Sequence, residues 1–278
     1  MENKRIVVKV GTSTLTHESG RLNLKRTEQL VKVLCDLSNA GHQIILVSSG
    51  AVGVGVGKLG LKNRPKETRE KQAVAAVGQC ELMFIYDKMF GEYNHTVAQV
   101  LLTKYAVDTL HKKQNVVNTI ETLLEMGIIP IVNENDTCAT DELAGDNIGD
   151  NDSLSAIVAD ISSADMLIML TDIDGLYTAN PREDKNAKFI STVDKIDEKI
   201  MNMGSNHTGS SVGTGGMHTK LNAGRIATAS GIDMIIANAS DIHVIHRLMD
   251  GREFGTFFKA NKDENFNLVE IAEGLNED

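Results

Sequence analysis

RIVVKV, residues 5–10, stands directly before Gly11, and QIILVS, residues 43–48, stands directly before Ser49 and Gly50. Short apolar runs of this kind, rich in Val and Ile and closed by small residues, read as strands buried on both faces. Between them, Leu30, Val33, Leu34 and Leu37 recur at helical spacing within residues 24–40. Asn23 is placed to cap that helix and Gly41 to end it. The alternation continues outward. Further strands are predicted at 97–102, 128–133, 166–170 and 234–238, and helices at 68–92, 108–126, 152–162, 219–230 and 241–249. Pro130 has no N–H to give a ladder and is expected at an edge or at a strand start. Strands alternating with helices predict an α/β fold: a mostly parallel sheet covered on both faces.

Composition narrows the function classes. The chain has 278 residues, 41% hydrophobic, enough for a full core without disulfide staples. Lys and Arg number 28 against 38 Asp and Glu, a net charge of −10. That balance, with no basic stripe, argues against nucleic acid and anionic membrane as partners. Cys35, Cys80 and Cys138 are scattered and odd in number, which excludes a disulfide framework or a CxxC zinc site and suits a reducing compartment. The apolar runs fall far short of the roughly 20 residues of a membrane span. MENKRIVVKVG holds no signal-peptide core before Gly11. A cytoplasmic location is therefore expected.

In parallel sheets ligands bind beyond the carboxyl ends of the strands. Four predicted ends carry glycines, hydroxyls, amides and carboxylates: Lys9–Ser13, Ser48–Ala51, Asn133–Asp136 and Thr171–Gly175. Lys9 interrupts an apolar strand, and lysine is rarely buried without a partner. Lys220 follows Gly213-Thr-Gly-Gly-Met-His-Thr, a glycine-rich approach to a predicted helix whose N-terminus favours phosphate. Two converging lysines would clamp a transferring phosphoryl group. Asp152, after Gly149-Asp-Asn, would fix them. The plainer readings are an edge-strand lysine, an ordinary helix cap at Asp152 and a solvent-exposed loop before Met217. Gly55-Val-Gly57-Lys-Leu-Gly60 matches GxGxxG but follows the second strand, so it reads as a mobile glycine-rich loop over a ligand, not a dinucleotide fingerprint. His243 and His246 read as a solvated or partly packed pair. Asp146, Asp150 and Asp152 lack the Gly and Glu of an EF-hand. No protein metal site is expected.

Taken together, VVKVGTSTL (7–15), VSSGAVGVG (47–55), AAVGQ (75–79), QVLLT (99–103), PIVNEND (130–136), GDND with LSA (149–156), LTDIDGLYTANP (170–181) and GTGGMHTK (213–220) resemble the amino acid kinase family. The single glycine in Lys9-Val-Gly11-Thr-Ser13 is similar to the branch that phosphorylates free glutamate. The resemblance implies a three-layer sandwich with an open, mainly parallel eight-stranded sheet. It implies ATP-dependent phosphorylation of the γ-carboxylate of L-glutamate, the first step of proline synthesis, with Mg2+ carried mostly by the nucleotide. A relative acting on N-acetylglutamate, aspartate or carbamate, and a non-catalytic sensor of the same fold, are the alternatives.

By the same resemblance Lys9, Asp152 and Lys220 are catalytic. Ser49, Gly50, Asp136, Asp150 and Asn151 bind substrate. Lys9, Gly11, Ser13, Thr171, Asp172, Thr214, Gly215, Gly216, Met217, His218, Thr219 and Lys220 bind ATP. Asp136 would pair with the α-ammonium of a free amino acid, a group that N-acetylation removes. L-Proline as feedback inhibitor, a homo-oligomer and functional coupling to glutamate-5-semialdehyde dehydrogenase complete the expectation. Residues 1–260 would form the kinase domain and 261–278 a short tail, with no PUA domain.

Overall fold

The protein is described here from a computed structural model, which describes residues 3–17, 19–139, 151–181, 183–205 and 216–269. Six strands form the parallel body of the sheet: β1 (Arg5–Val10), β2 (Gln43–Ser48), β3 (Val97–Leu102), β4 (Ile129–Glu134), β5 (Met166–Thr171) and, after three short strands, β9 (Asp233–Asn238). The short strands are β6 (Leu176–Tyr177), β7 (Phe189–Ile190) and β8 (Thr192–Val193), and β10 (Thr256–Phe258) follows β9. The main sheet has eight strands in the order β3-β4-β2-β1-β5-β9-β10-β8, with β10 antiparallel to β9. Strands β6 and β7 make a separate antiparallel pair.

Between the strands lie α1 (Thr12–Leu15), α2 (Leu24–Asn39), α3 (Ala51–Leu59), α4 (Thr68–Gly91), α5 (Leu110–Glu125), α6 (Asn151–Ile161), α7 (Glu198–Ser205), α8 (Met217–Ala229) and α9 (Val244–Met249). The Asn23 side chain caps α2 by accepting from the Arg26 N–H. Strand side chains alternate between two cores. Ile6, Val8, Ile44, Leu46, Ile168 and Leu170 join α2, α4 and α9 on one face. Val7, Ile45, Val47, Leu167 and Met169 join α5, α6 and α8 on the other. This two-sided burial is why the strands read as unbroken apolar runs. Truncating one fully buried member, such as Leu30 or Ile45, to alanine costs about 2–5 kcal/mol.

The structure refines one expectation and corrects another. Pro130 lies on β4, an interior strand between β3 and β2. It is tolerated because it is the strand's second residue and the ladder to β2 starts only at Ile131. Residues 51–59 are not a loop but helix α3. Their glycines permit close packing on α4, which runs unbroken through Gly78. A Cβ at Gly78 would sit 1.8 Å from the Ala51 carbonyl oxygen, and one at Gly55 would sit 2.1 Å from that of Val74. Gly60, at φ +64°, ends the helix in the left-handed conformation. The glycines that suggested mobility therefore join two helices tightly.

Candidate active site

The strand order reverses at β1, with β2 on one side and β5 on the other, and such a switch opens a crevice beyond the strand ends. Lys9 sits one residue before the end of β1. Since Val7 faces α6 and α8, period-two alternation sends Lys9 the same way. There it meets Asp152, in the first turn of α6, and Lys220, in the first turn of α8.

Lys9 Nζ donates to Asp152 Oδ1 at 2.5 Å, and Lys220 Nζ donates to Oδ2 at 3.0 Å. The Thr219 hydroxyl also lies 2.9 Å from Oδ2. All four residues are buried, Asp152 to 1% exposure. Burial alone would raise the Asp152 pKa. The charges of Lys9 and Lys220, with their hydrogen bonds, outweigh it and hold the carboxyl well below the usual range. Lys9 is thus on a central strand, not an edge. Asp152 spends its oxygens on two lysines and a threonine, which a simple helix cap would not do. A Cβ on Gly11 would lie 3.8 Å from Lys9 Nζ and 3.9 Å from Ser13 Oγ, so Gly11 stands between the two side chains' reactive ends.

On the far side of β1, Ser49 donates its N–H to the Val10 carbonyl, tying the end of β2 to that of β1. Gly50 adopts φ +109° and opens α3. Beneath them the Ser48 and Tyr86 hydroxyls are bonded at 2.9 Å. Asp136 sits in the turn after β4, where burial raises its pKa to about 6 against the opposing charge of Arg64. Asn151, at the head of α6, is 7% exposed, and its Oδ1 has no hydrogen-bond partner among the described residues. Thr171 and Asp172 end β5, linked by a 3.2 Å hydrogen bond. Gly216 precedes α8.

Two residues expected at the nucleotide turn their side chains in opposite directions. The Met217 side chain is buried in the core beneath α8. His218 is exposed and lies 3.3 Å from Asn222 on its own helix. Alternation around the helix explains both: Met217, Thr219 and Lys220 face inward and His218 outward. Asp150, Thr214 and Gly215 lie outside the described residues.

Sequence reading overlooked a buried amide pair. Asn133, at the end of β4, donates from Nδ2 to Gln79 Oε1 at 2.8 Å. Asn133 belonged to a flagged strand end. Gln79 closes the AAVGQ stretch but was not singled out, because a polar residue within a helix is ordinary until its burial is known.

The chain resembles known proteins along nearly its whole length. The model of the Amino acid kinase family matches residues 4–238. The chain is 54% identical over 264 residues to glutamate 5-kinase of Clostridium perfringens, covering 95% of this chain and 98% of that one. It is 52% identical over 265 residues to glutamate 5-kinase of Listeria welshimeri, covering 95% of each. Among solved structures, UMP kinase from Bacillus anthracis superposes with a TM-score of 0.62 at 16% identity, covering 93% of this chain and 96% of that one. UMP kinase from Ureaplasma parvum gives 0.61 at 14%, covering 93% of this chain and 100% of that one. At such identities the structural likeness speaks to the fold alone.

Proposed function

The chain belongs to the amino acid kinase family, and from that premise we propose that it transfers the γ-phosphoryl group of ATP to the γ-carboxylate of L-glutamate. The observation that carries this reading is the buried Lys9–Asp152–Lys220 cluster at the strand switch, in a chain half identical to glutamate 5-kinases along nearly its whole length.

The chemistry suits such a site. A carboxylate oxygen is already a nucleophile, so no general base is required. It attacks the γ-phosphorus, the bond to the β–γ bridging oxygen breaks, and ADP leaves with that electron pair. Catalysis then rests on positioning and charge neutralisation. Lys9 and Lys220 balance the charge on the phosphoryl oxygens and the leaving group. Asp152 holds both lysines without touching substrate and is a positioning residue. Gly11, Ser13, Gly216 and Thr219 border the phosphates, and Thr171 and Asp172 the nucleotide rim. Ser49, Gly50 and Asn151 line the acceptor side, with Asp136 facing the α-ammonium. Among the described residues no three His, Cys, Asp or Glu side chains gather as a metal site. Magnesium would enter with ATP, held mostly by the phosphates and water.

No helix among the described residues is long and apolar enough to cross a membrane. With Cys35, Cys80 and Cys138 all free, we place the enzyme in the cytoplasm. Residues 1–260 serve as the kinase domain, and Leu268 just beyond them packs into its core. Proline shares the α-carboxylate and an ammonium with glutamate but offers no γ-carboxylate, so it competes for the acceptor side. A homo-oligomer and coupling to the dehydrogenase that consumes the acyl phosphate complete the proposal.

The test is ADP release with L-glutamate, N-acetylglutamate, aspartate, carbamate and UMP as acceptors, with hydroxylamine trapping of the acyl phosphate. Turnover and a hydroxamate with glutamate alone are expected. Preference for another acceptor, or none at all, overturns the assignment. Proline titrated into the same assay should raise the glutamate KM at constant kcat.

A further inference from the structure

The Asn133–Gln79 pair has an orientation that the backbone dictates. The Glu134 N–H donates to Asn133 Oδ1 at 2.9 Å, which commits that oxygen as an acceptor. Asn133 must therefore present Nδ2 to Gln79, and Gln79 must answer with Oε1. The Gln79 Nε2 group is left to point away from Asn133. It carries two N–H donors. Gln79 is only 8% exposed, and Nε2 has no hydrogen-bond partner among the described residues. A buried donor left in that state costs about 1–3 kcal/mol. A fold retains such a cost most readily where a ligand removes it.

The location names the ligand group. Gln79 meets the carboxyl end of β4, two strand positions from β1, or about 10 Å at the usual spacing. The four bonds between the carboxyl carbons of glutamate span about 5 Å extended, at about 1.5 Å per bond. A hydrogen bond of about 2.9 Å at each end brings the reach to about 10 Å. A glutamate whose γ-carboxylate lies at the lysines thus brings its head to β4. Two groups await it there. Asp136 attracts an ammonium and repels a carboxylate, and the Gln79 amide hydrogens do the reverse.

We propose that Gln79 is a specificity residue that contacts the substrate, its Nε2 donating to the α-carboxylate of the amino acid acceptor. The inference rests on the glutamate kinase reading and deepens it. Asn133 acts through Gln79, as the group that fixes the amide's direction.

The decisive experiment compares L-glutamate with 4-aminobutyrate, which keeps the ammonium and the distal carboxylate but lacks the α-carboxylate. Full-length wild type, Gln79→Glu and Gln79→Leu are assayed with saturating MgATP. Acceptor strength is read as kcat/KM, or as Ki against glutamate where 4-aminobutyrate does not turn over. Both variants should lose about 10–100-fold for glutamate, the range expected of a hydrogen bond to a charged group. They should change less than about threefold for 4-aminobutyrate, with the ATP KM unmoved. Equal losses for both acceptors would make Gln79 a structural residue and overturn the proposal, as would a variant that treats glutamate like wild type. If Gln79→Leu does not fold, the near-isosteric Gln79→Glu decides alone. A wild-type enzyme inert toward glutamate sinks the kinase reading itself, an outcome visible before any variant is made.

Discussion

Replacing Gly78 by alanine tests the helix pairing that supports the acceptor side of the site. The new methyl would lie 1.8 Å from the Ala51 carbonyl oxygen, whereas real Cβ contacts essentially never fall under 3.0 Å. Helices α3 and α4 would have to part by about 1.2 Å or more, against neighbours packed to crystal-like density. Overpacking of this sort costs about 1–3 kcal/mol. For a chain of this size that is a Tm loss of roughly 3–10 °C. Ala51 directly follows Ser49 and Gly50, so the displaced segment is the one proposed above to border the acceptor. Misplacement by about 1 Å can cost up to about 100-fold in rate. Thermal unfolding and glutamate kinetics on Gly78→Ala would measure both effects. Gly91→Ala is the control, since a Cβ there meets nothing within 4 Å on the same helix. It should be neutral or slightly stabilising, because alanine is the better helix former. Wild-type Tm and glutamate KM in Gly78→Ala would refute the packing described for α3.

Lys220→Ala should lower kcat by about 10²–10³ with little change in glutamate KM, because its charge acts where negative charge develops during transfer; near-normal kcat in steady-state assays would remove it from the clamp. Asp136 should make glutamate binding pH-dependent: its pKa is raised to about 6, so glutamate KM should rise as pH falls through 6 while ATP KM stays level. The same shift has a stability sign. Between about pH 4 and 6 the folded state holds this proton more tightly than the unfolded chain, so its contribution falls as pH rises through that window. Asp136→Asn should accordingly raise Tm above pH 6 and leave it unchanged below 4, and a pH series of melting curves that shows no such crossover would count against the half-buried carboxylate.

The sequence carried the architecture well where periodicity was strong. All six long parallel strands appear within a residue or so of their expected bounds, because two-sided burial writes itself as runs such as IVV and IIL. The short strands at β6 to β8 and at β10 were not legible. Two or three residues carry no usable period, and their pairing is set by distant partners such as Ile236 and Thr256. Residues 51–59 misled because glycine is ambiguous: the same residue that permits a loop permits two helices to touch. In the site, Lys9, Asp152 and Lys220 were legible as chemistry out of place in its surroundings. Gln79 was not, since its burial and its bond to Asn133 exist only after α4 has docked on the sheet. The outward direction of His218 was not legible either, because it is set by the turn of α8.

The carboxylate of Asp152 binds lysines 143 residues before it and 68 residues after it. A ribosome adding about 5–20 residues per second finishes Lys9 roughly 10–40 s before Lys220. The centre therefore comes into being only when both ends of the chain have been made and docked. A stalled or proteolysed product can hold strands and helices, and even an acceptor edge, yet it has no clamp with which to spend ATP. Contacts of such long range also form late in folding. Catalytic competence thus arrives last, and the act of completing the fold is what switches the enzyme on.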